Sequence, residues 1–213
     1  MASGKRRRAG RVSTAAQQGS KRKQKNLLLY GMAAVAGVAV IAAIVVGVTL
    51  GGGGGGGGGS GDPAPDFNFS LYQGFGEIGE RHSDLSRLEG KPVVLNFWAV
   101  LCSPCRAEMP QFQAFYEEFK DQVTLLGIDV GPFTGLGSHQ DADDLLQELG
   151  VTYPAGWTDD GSVTRKFGVV SMPTTIFIDS SGKIFDRRAG AIDRNALVRS
   201  TTRLLAAEAA DAS

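Results

Sequence analysis

The chain has little of the two side chains that most often do chemistry at neutral pH: two cysteines and two histidines in 213 residues. One cysteine pair excludes a scaffold stapled by several disulfides. A zinc site would have to recruit His82 and His139, which lie far apart in sequence and in no paired-ligand spacing. Acidic residues are missing from the first 61 positions, where nine lysines and arginines stand unopposed. Charge of either sign is missing from Leu27–Leu50, 24 residues in a row. No internal repeat is visible.

These gaps divide the chain. Residues 1–26 are a basic arm holding all nine of those cations. Such an arm could by itself bind nucleic acid, but the run that follows decides against it. At ~1.5 Å per residue, an uncharged helix over 27–50 is long enough to cross a hydrocarbon core of about 30 Å. The positive-inside rule then leaves the arm in the cytoplasm and everything past Leu50 outside, on a single-pass signal anchor in the cell membrane. A cleaved signal peptide is the competing reading, although its apolar core normally runs ~7–15 residues. No cysteine stands near the end of the span, which excludes a lipoprotein anchor. Residues 51–61, nine glycines and then Ser-Gly, are expected to be flexible coil, a tether of roughly 15–20 Å. Residues 62–213 remain for one domain with a sizeable core. Past Gly61 there are 22 acidic against 13 basic residues, a formal −9, which suits solubility and argues against nucleic acid as a partner.

Within that domain, Pro92–Trp98 is almost continuously apolar and rich in β-branched and aromatic residues, as for a strand covered on both faces. Cys102-Ser-Pro-Cys105 follows, and then Phe112, Phe115, Tyr116 and Phe119 fall on one stripe of a helix. The stripe extends back through Glu108 to Cys105. Cys102 therefore belongs at a helix N-terminus, where unpaired N–H groups and the helix dipole favour a thiolate. Pro104 suits the first turn because it has no N–H to leave unpaired. Cys102 is predicted to be the exposed nucleophile and Cys105, one turn on, the resolving thiol. A purely structural disulfide across so short a loop would stabilise little. Glu108, on the apolar stripe, would be partly desolvated, with its own pKa raised, and could pass protons during exchange. The blander alternative is a solvated first-turn glutamate.

The remaining elements read more simply. Asp66–Leu88 suggests short strands or a hairpin, and Val123–Val130 a second buried strand that completes a right-handed βαβ unit. Gly131–Gly137 reads as a loop, and Asp141–Leu149 and Asp160–Phe167 as helices. Pro173 should sit at the start of a strand over Thr174–Ile178. A turn at Asp179–Gly182 leads into Lys183–Arg188, and Asp193–Ala207 is an amphipathic helix. Pro110 is expected to kink its helix. His82, His139, Asp129 and Trp157 show no pairing and read as structural.

LNFWAVLCSPCRAEMP, followed far downstream by SMPTTIFIDSSGKI, resembles the membrane-anchored thioredoxin-like proteins of the TlpA/ResA/CcmG (DsbE) group over about Pro63–Ala206. One departure is Leu101, where such proteins commonly carry Trp. The resemblance implies an α/β thioredoxin-like fold: a central mixed sheet flanked by helices, with an N-terminal strand extension and a βα-type insertion. It implies thiol–disulfide oxidoreductase activity outside the cytoplasm, usually as a reductant, with no cofactor beyond the Cys102–Cys105 disulfide. The proline matching Pro173 is cis and packs opposite the CxxC in that group. Cys102, Cys105, Glu108 and Pro173 then form the expected catalytic set. Met172 would offer backbone groups to an extended substrate, and Trp98, a core or rim aromatic near the disulfide, is the second substrate-binding candidate. Asn96 stands where cytosolic thioredoxins carry a buried aspartate. The implied partners are substrate proteins, among them the CxxCH disulfide of apocytochrome c. A membrane electron donor of the CcdA/DsbD type is also implied, because no third cysteine is present to recharge the pair. Two alternatives remain: a thiol oxidase that introduces disulfides into exported proteins, and a tethered peptide-binding module without turnover. A peroxidase fits less well, since peroxiredoxin-like sites place Thr or Ser three residues before the reactive cysteine and Cys102 has Ala99 there.

Overall fold

Every residue of the stretch Val93–Trp98 is buried, and one mixed sheet is built around it. The computed structural model describes Gly57, Gly58 and residues 61–211; the basic arm and the apolar run over 27–50 lie outside the described residues. In chain order the strands are β1 (Gly57–Gly58), β2 (Asn68–Gln73), β3 (His82–Asp84), β4 (Val93–Trp98), β5 (Thr124–Asp129), β6 (Ala155–Trp157), β7 (Thr174–Ile178) and β8 (Ile184–Ala189). They lie side by side as β1-β8-β7-β4-β5-β6-β2-β3. β4, β5 and β6 run parallel, and every other neighbouring pair is antiparallel. The helices are α1 (Phe75–Ile78), α2 (Ser103–Phe119), α3 (Gly131–Thr134), α4 (His139–Glu148), α5 (Val163–Lys166) and α6 (Arg194–Asp211), with a 3-10 turn at Leu85–Leu88.

Because side chains alternate along a strand, β4 supplies two cores. Val94 and Trp98 join Phe112, Phe115 and Phe119 of α2, Leu145 and Leu146 of α4, and Leu197 and Leu204 of α6. Val93, Leu95 and Phe97 join Phe67, Phe69, Phe167 and Val163 on the other side. Asn96 shares the α2-facing side with Val94 and Trp98, so the one polar residue of the strand points at the helix that carries the cysteines. α4 starts on a capping box, in which Ser138 accepts from the Asp141 amide and Asp141 reaches back to the Ser138 amide.

The structure departs from expectation at several places. The tether is not coil to its end: Gly57 and Gly58 pair with Arg187 and Asp186, and the Gly61 amide donates to the Ile184 carbonyl. The exposed edge of β8 offers free N–H and C=O groups, and a chain without Cβ atoms meets no steric objection there. The segment expected as a loop after β5 contains the helical turn α3, and α1 interrupts the β2–β3 hairpin. β6 was not foreseen, since Ala-Gly-Trp carries no β-branched residue. The span expected over 27–50 lies outside the described residues, and among those described no helix is long and apolar enough to cross a membrane.

Gly156 of β6 explains how β2 closes on the sheet. A Cβ at this position would lie 2.0 Å from the Ser70 carbonyl oxygen, so only glycine lets the two backbones pair. Gly156→Ala is therefore expected to destabilise the protein by about 3 kcal/mol through overpacking, read as a lower urea midpoint. An unchanged midpoint would contradict this account of the β2–β6 contact.

Candidate active site

β4 delivers the chain to the C-terminal edge of its parallel strands, and α2 begins five residues later. Cys102 is the N-cap of α2: its backbone is extended, and its sulfur accepts the Cys105 amide at 3.3 Å. Pro104 lies within the first turn. Cys102 and Cys105 are joined, S–S 2.04 Å and Cα–Cα 5.2 Å. Cys102, expected as exposed, keeps only 9% of its surface, and Cys105 keeps none. The neighbouring Leu101 is the outward residue, 66% exposed. Its amide donates to the Leu136 carbonyl at 2.9 Å, tying the cysteine loop to the segment after α3.

Glu108 lies one turn past Cys105 and is buried. Asn96 Nδ2 donates to Glu108 Oε1 at 2.9 Å and lies 3.2 Å from Thr175 Oγ1 of β7. The Ile192 amide donates to Glu108 Oε2 at 3.1 Å. Burial pushes Glu108 up from 4.5 to about 7, against the opposing effect of these two donated hydrogen bonds. The sheet register makes the cluster, since Asn96 of β4 is paired with Thr175 of β7.

The Met172–Pro173 peptide bond is cis, and Thr174 begins β7 directly after it. Met172 is half-buried and packs against both cores, including the one that contains the disulfide. A groove of about 160 Å³ beside it is lined by Thr134, Thr164, Val169, Val170, Ser171 and Met172. Trp98 does not face a substrate in this structure. It is fully buried, because position 98 shares the inward side of β4 with Val94 and Asn96. Leu101 and Val170, 66% and 89% exposed, present apolar surface instead. Among the described residues no cluster of histidine, cysteine and carboxylate side chains could hold a metal ion.

Three residues without visible pairing in the sequence are brought together, from β5, β6 and the start of α4. Asp129, His139 and Trp157 surround Tyr72: the Tyr72 hydroxyl lies 3.1 Å from Asp129 Oδ2 and 2.7 Å from His139 Nδ1, and its ring is 4.7 Å from that of Trp157. His82, by contrast, bonds only Ser70 Oγ, at 2.7 Å, among the contacts of its side chain in the described residues.

The sequence pattern of the AhpC/TSA family matches residues 60–187, more than half of the chain. The chain belongs to the AhpC/TSA family. The chain is 38% identical over 132 residues to the thiol-disulfide oxidoreductase ResA of Oceanobacillus iheyensis, covering 62% of this chain and 66% of that protein. It is 30% identical to the thioredoxin-like protein YneN of Bacillus subtilis, covering 63% of this chain and 74% of the relative. Among solved structures it resembles the Chlorobium tepidum protein assigned as thiol:disulfide interchange protein DsbE, with 28% identity and a TM-score of 0.57 over 68% of this chain and 96% of that one. This AhpC/TSA domain is thioredoxin-like, an α/β fold on a mixed sheet, and it is a thiol–disulfide oxidoreductase.

The burial of Glu108 makes stability depend on pH. Its folded pKa is raised, so between 4.5 and about 7 the folded state keeps a proton that the unfolded chain has lost. Stability from this group is therefore greatest below 4.5 and falls as pH rises to about 7, by about 3 kcal/mol. Glu108→Gln cannot ionise. Urea unfolding of the oxidised protein should show the variant gaining on wild type by about 3 kcal/mol between pH 4.5 and pH 8. A difference that stays constant with pH would rule out a buried, titrating Glu108.

Proposed function

We propose that the protein is a membrane-anchored reductant of protein disulfides that works outside the cytoplasm. The observation that carries the exchange chemistry is the placement of the Cys102 sulfur as the N-cap of α2, with Cys105 and then Glu108 on the buried stripe behind it; the reducing direction is what the resemblance to the TlpA/ResA/CcmG group implies. Helix N–H groups lower the energy of a thiolate at that position. Cys102 thiolate attacks one sulfur of a substrate disulfide, forming a mixed disulfide and releasing the other substrate sulfur as a thiolate. Cys105, deprotonated, then attacks Cys102; the second substrate thiolate leaves, and two electrons have passed to the substrate. Glu108, with a pKa of about 7, accepts the Cys105 proton in that step. The extended backbone beside Met172 and Pro173 takes the substrate chain by strand-like pairing.

The location rests on the arm of residues 1–26 and the uncharged run over 27–50. The resemblance of LNFWAVLCSPCRAEMP and SMPTTIFIDSSGKI to the TlpA/ResA/CcmG group implies the CxxCH disulfide of apocytochrome c as client and a membrane electron carrier of the CcdA/DsbD type as the source of electrons. The disulfide itself is the only redox group required.

The test has two parts. Cys105→Ser should accumulate a mixed disulfide with a client protein and Cys102→Ser should not, which non-reducing electrophoresis reads directly. The reduction potential, equilibrated against glutathione and dithiothreitol buffers, should lie toward about −270 mV. A value toward about −120 mV would make the protein an oxidant of exported thiols instead. Trapping through Cys105 rather than Cys102 would reverse the roles of the two sulfurs.

A further inference from the structure

We propose that Asp129, Tyr72 and His139 are positioning residues for the exchange reaction, a hydrogen-bonded clamp on the segment that holds the residue before Cys102. The inference rests on the assignment of Cys102 as the attacking sulfur. Asp129 ends β5, is fully buried, and pairs in register with Trp98 at the end of β4, four residues before Cys102. Its two oxygens face opposite duties. Oδ1 accepts the Gly131 amide at 2.8 Å, at the start of α3. Oδ2 accepts from the Tyr72 hydroxyl at 3.1 Å, and that hydroxyl lies 2.7 Å from His139 Nδ1. β2, β5 and α4 are thus tied together through one carboxylate.

The clamp reaches the cysteine loop by backbone bonds. The Gly131 carbonyl accepts the Leu136 amide at 3.0 Å, and the Leu136 carbonyl accepts the Leu101 amide at 2.9 Å. The Val130 amide donates to the Trp98 carbonyl at 2.9 Å. Packing leaves no slack: a Cβ on Gly131 would lie 2.9 Å from Asp129 Oδ1, and one on Gly137 would lie 2.8 Å from Val100 Cβ. A shift of residues 131–137 therefore moves Leu101, and with it the backbone that sets the Cys102 sulfur over the Cys105 amide.

Proton counting gives the clamp two states. Tyr72 has one hydroxyl proton. When it donates to ionised Asp129, its oxygen must accept a proton from His139 Nδ1. When Asp129 is protonated, the chain can reverse, with Asp129 donating to Tyr72 and Tyr72 to Nδ1 of a neutral His139 whose proton then sits on Nε2. The bond from Gly131 is charge-assisted only in the first state. Burial raises Asp129 to about 6, opposed by the Gly131 and Tyr72 bonds and by the charge of His139. Burial also raises Tyr72, as do Asp129 and Asp143 of α4. The clamp is accordingly tight above pH 6 and loose below it.

The test is the rate of iodoacetamide alkylation of the reduced full-length protein from pH 4.5 to pH 8.5, with the labelled sulfur mapped by mass spectrometry. Asp129→Asn holds the chain in its neutral form and should slow alkylation at pH 7.5 by roughly three- to tenfold, the effect of about one lost hydrogen bond, while matching wild type at pH 4.5. Tyr72→Phe keeps the ring against Trp157 but removes a donor from Asp129, so the step near pH 6 should move upward by about one unit. Profiles identical to wild type in both variants, even with a lowered melting temperature, would overturn the proposal and leave the cluster structural. Should Asp129→Asn fail to fold, Tyr72→Phe alone decides. Label found on Cys105 would overturn the assignment of Cys102, and the same profiles would still judge the clamp.

Discussion

At the first turn of α2 a sulfur takes the place of the usual capping oxygen, and most of the surrounding structure serves to keep that turn where it is. The Cys102 sulfur accepts the Cys105 amide only while α2 starts at Ser103. The start is held from behind by Phe112, Phe115 and Phe119, sunk in the core shared by β4, α4 and α6. It is held from the side by the Leu101–Leu136 bond. An apolar stripe resists sliding because moving it would expose several aromatic side chains at once. The reactive group is therefore positioned by the least reactive part of the molecule.

Two buried carboxylates lie at the same end of the sheet. Glu108 is held by Asn96 and the Ile192 amide, Asp129 by Tyr72 and the Gly131 amide. Burial raises both pKa values, Glu108 to about 7 and Asp129 to about 6. An apolar side chain at either position would avoid the desolvation cost of the charged form. Local physics is set against burial of these two carboxylates and favours that of the apolar side chains around them, and such conflicts mark sites kept for chemistry or control.

The poly-glycine stretch illustrates how weak a preference can still be decisive. Glycine carries no side chain to pack and loses the most conformational freedom on ordering. Yet β8 would otherwise end the sheet with unpaired backbone groups, and Gly57, Gly58 and residues 61–64 supply partners for them.

A nearly continuous apolar, β-branched run determined the strand over Pro92–Trp98; periodicity determined the stripe Cys105–Glu108–Phe112 and the helix start at Cys102, because local spacing alone dictates which side chains share a face. It also marked Glu108 as a carboxylate on an apolar face, a contradiction visible without coordinates. For Trp98 the sequence left core and rim both open, and how the helices cover β4 decided for the core. β6 was not legible, since its three residues pair only because Gly156 fits between β2 and β5. The tertiary structure alone brought Tyr72, Asp129, His139 and Trp157 into one cluster. They come from β2, β5, α4 and β6, and the register between strands, which no local spacing encodes, decides that they meet.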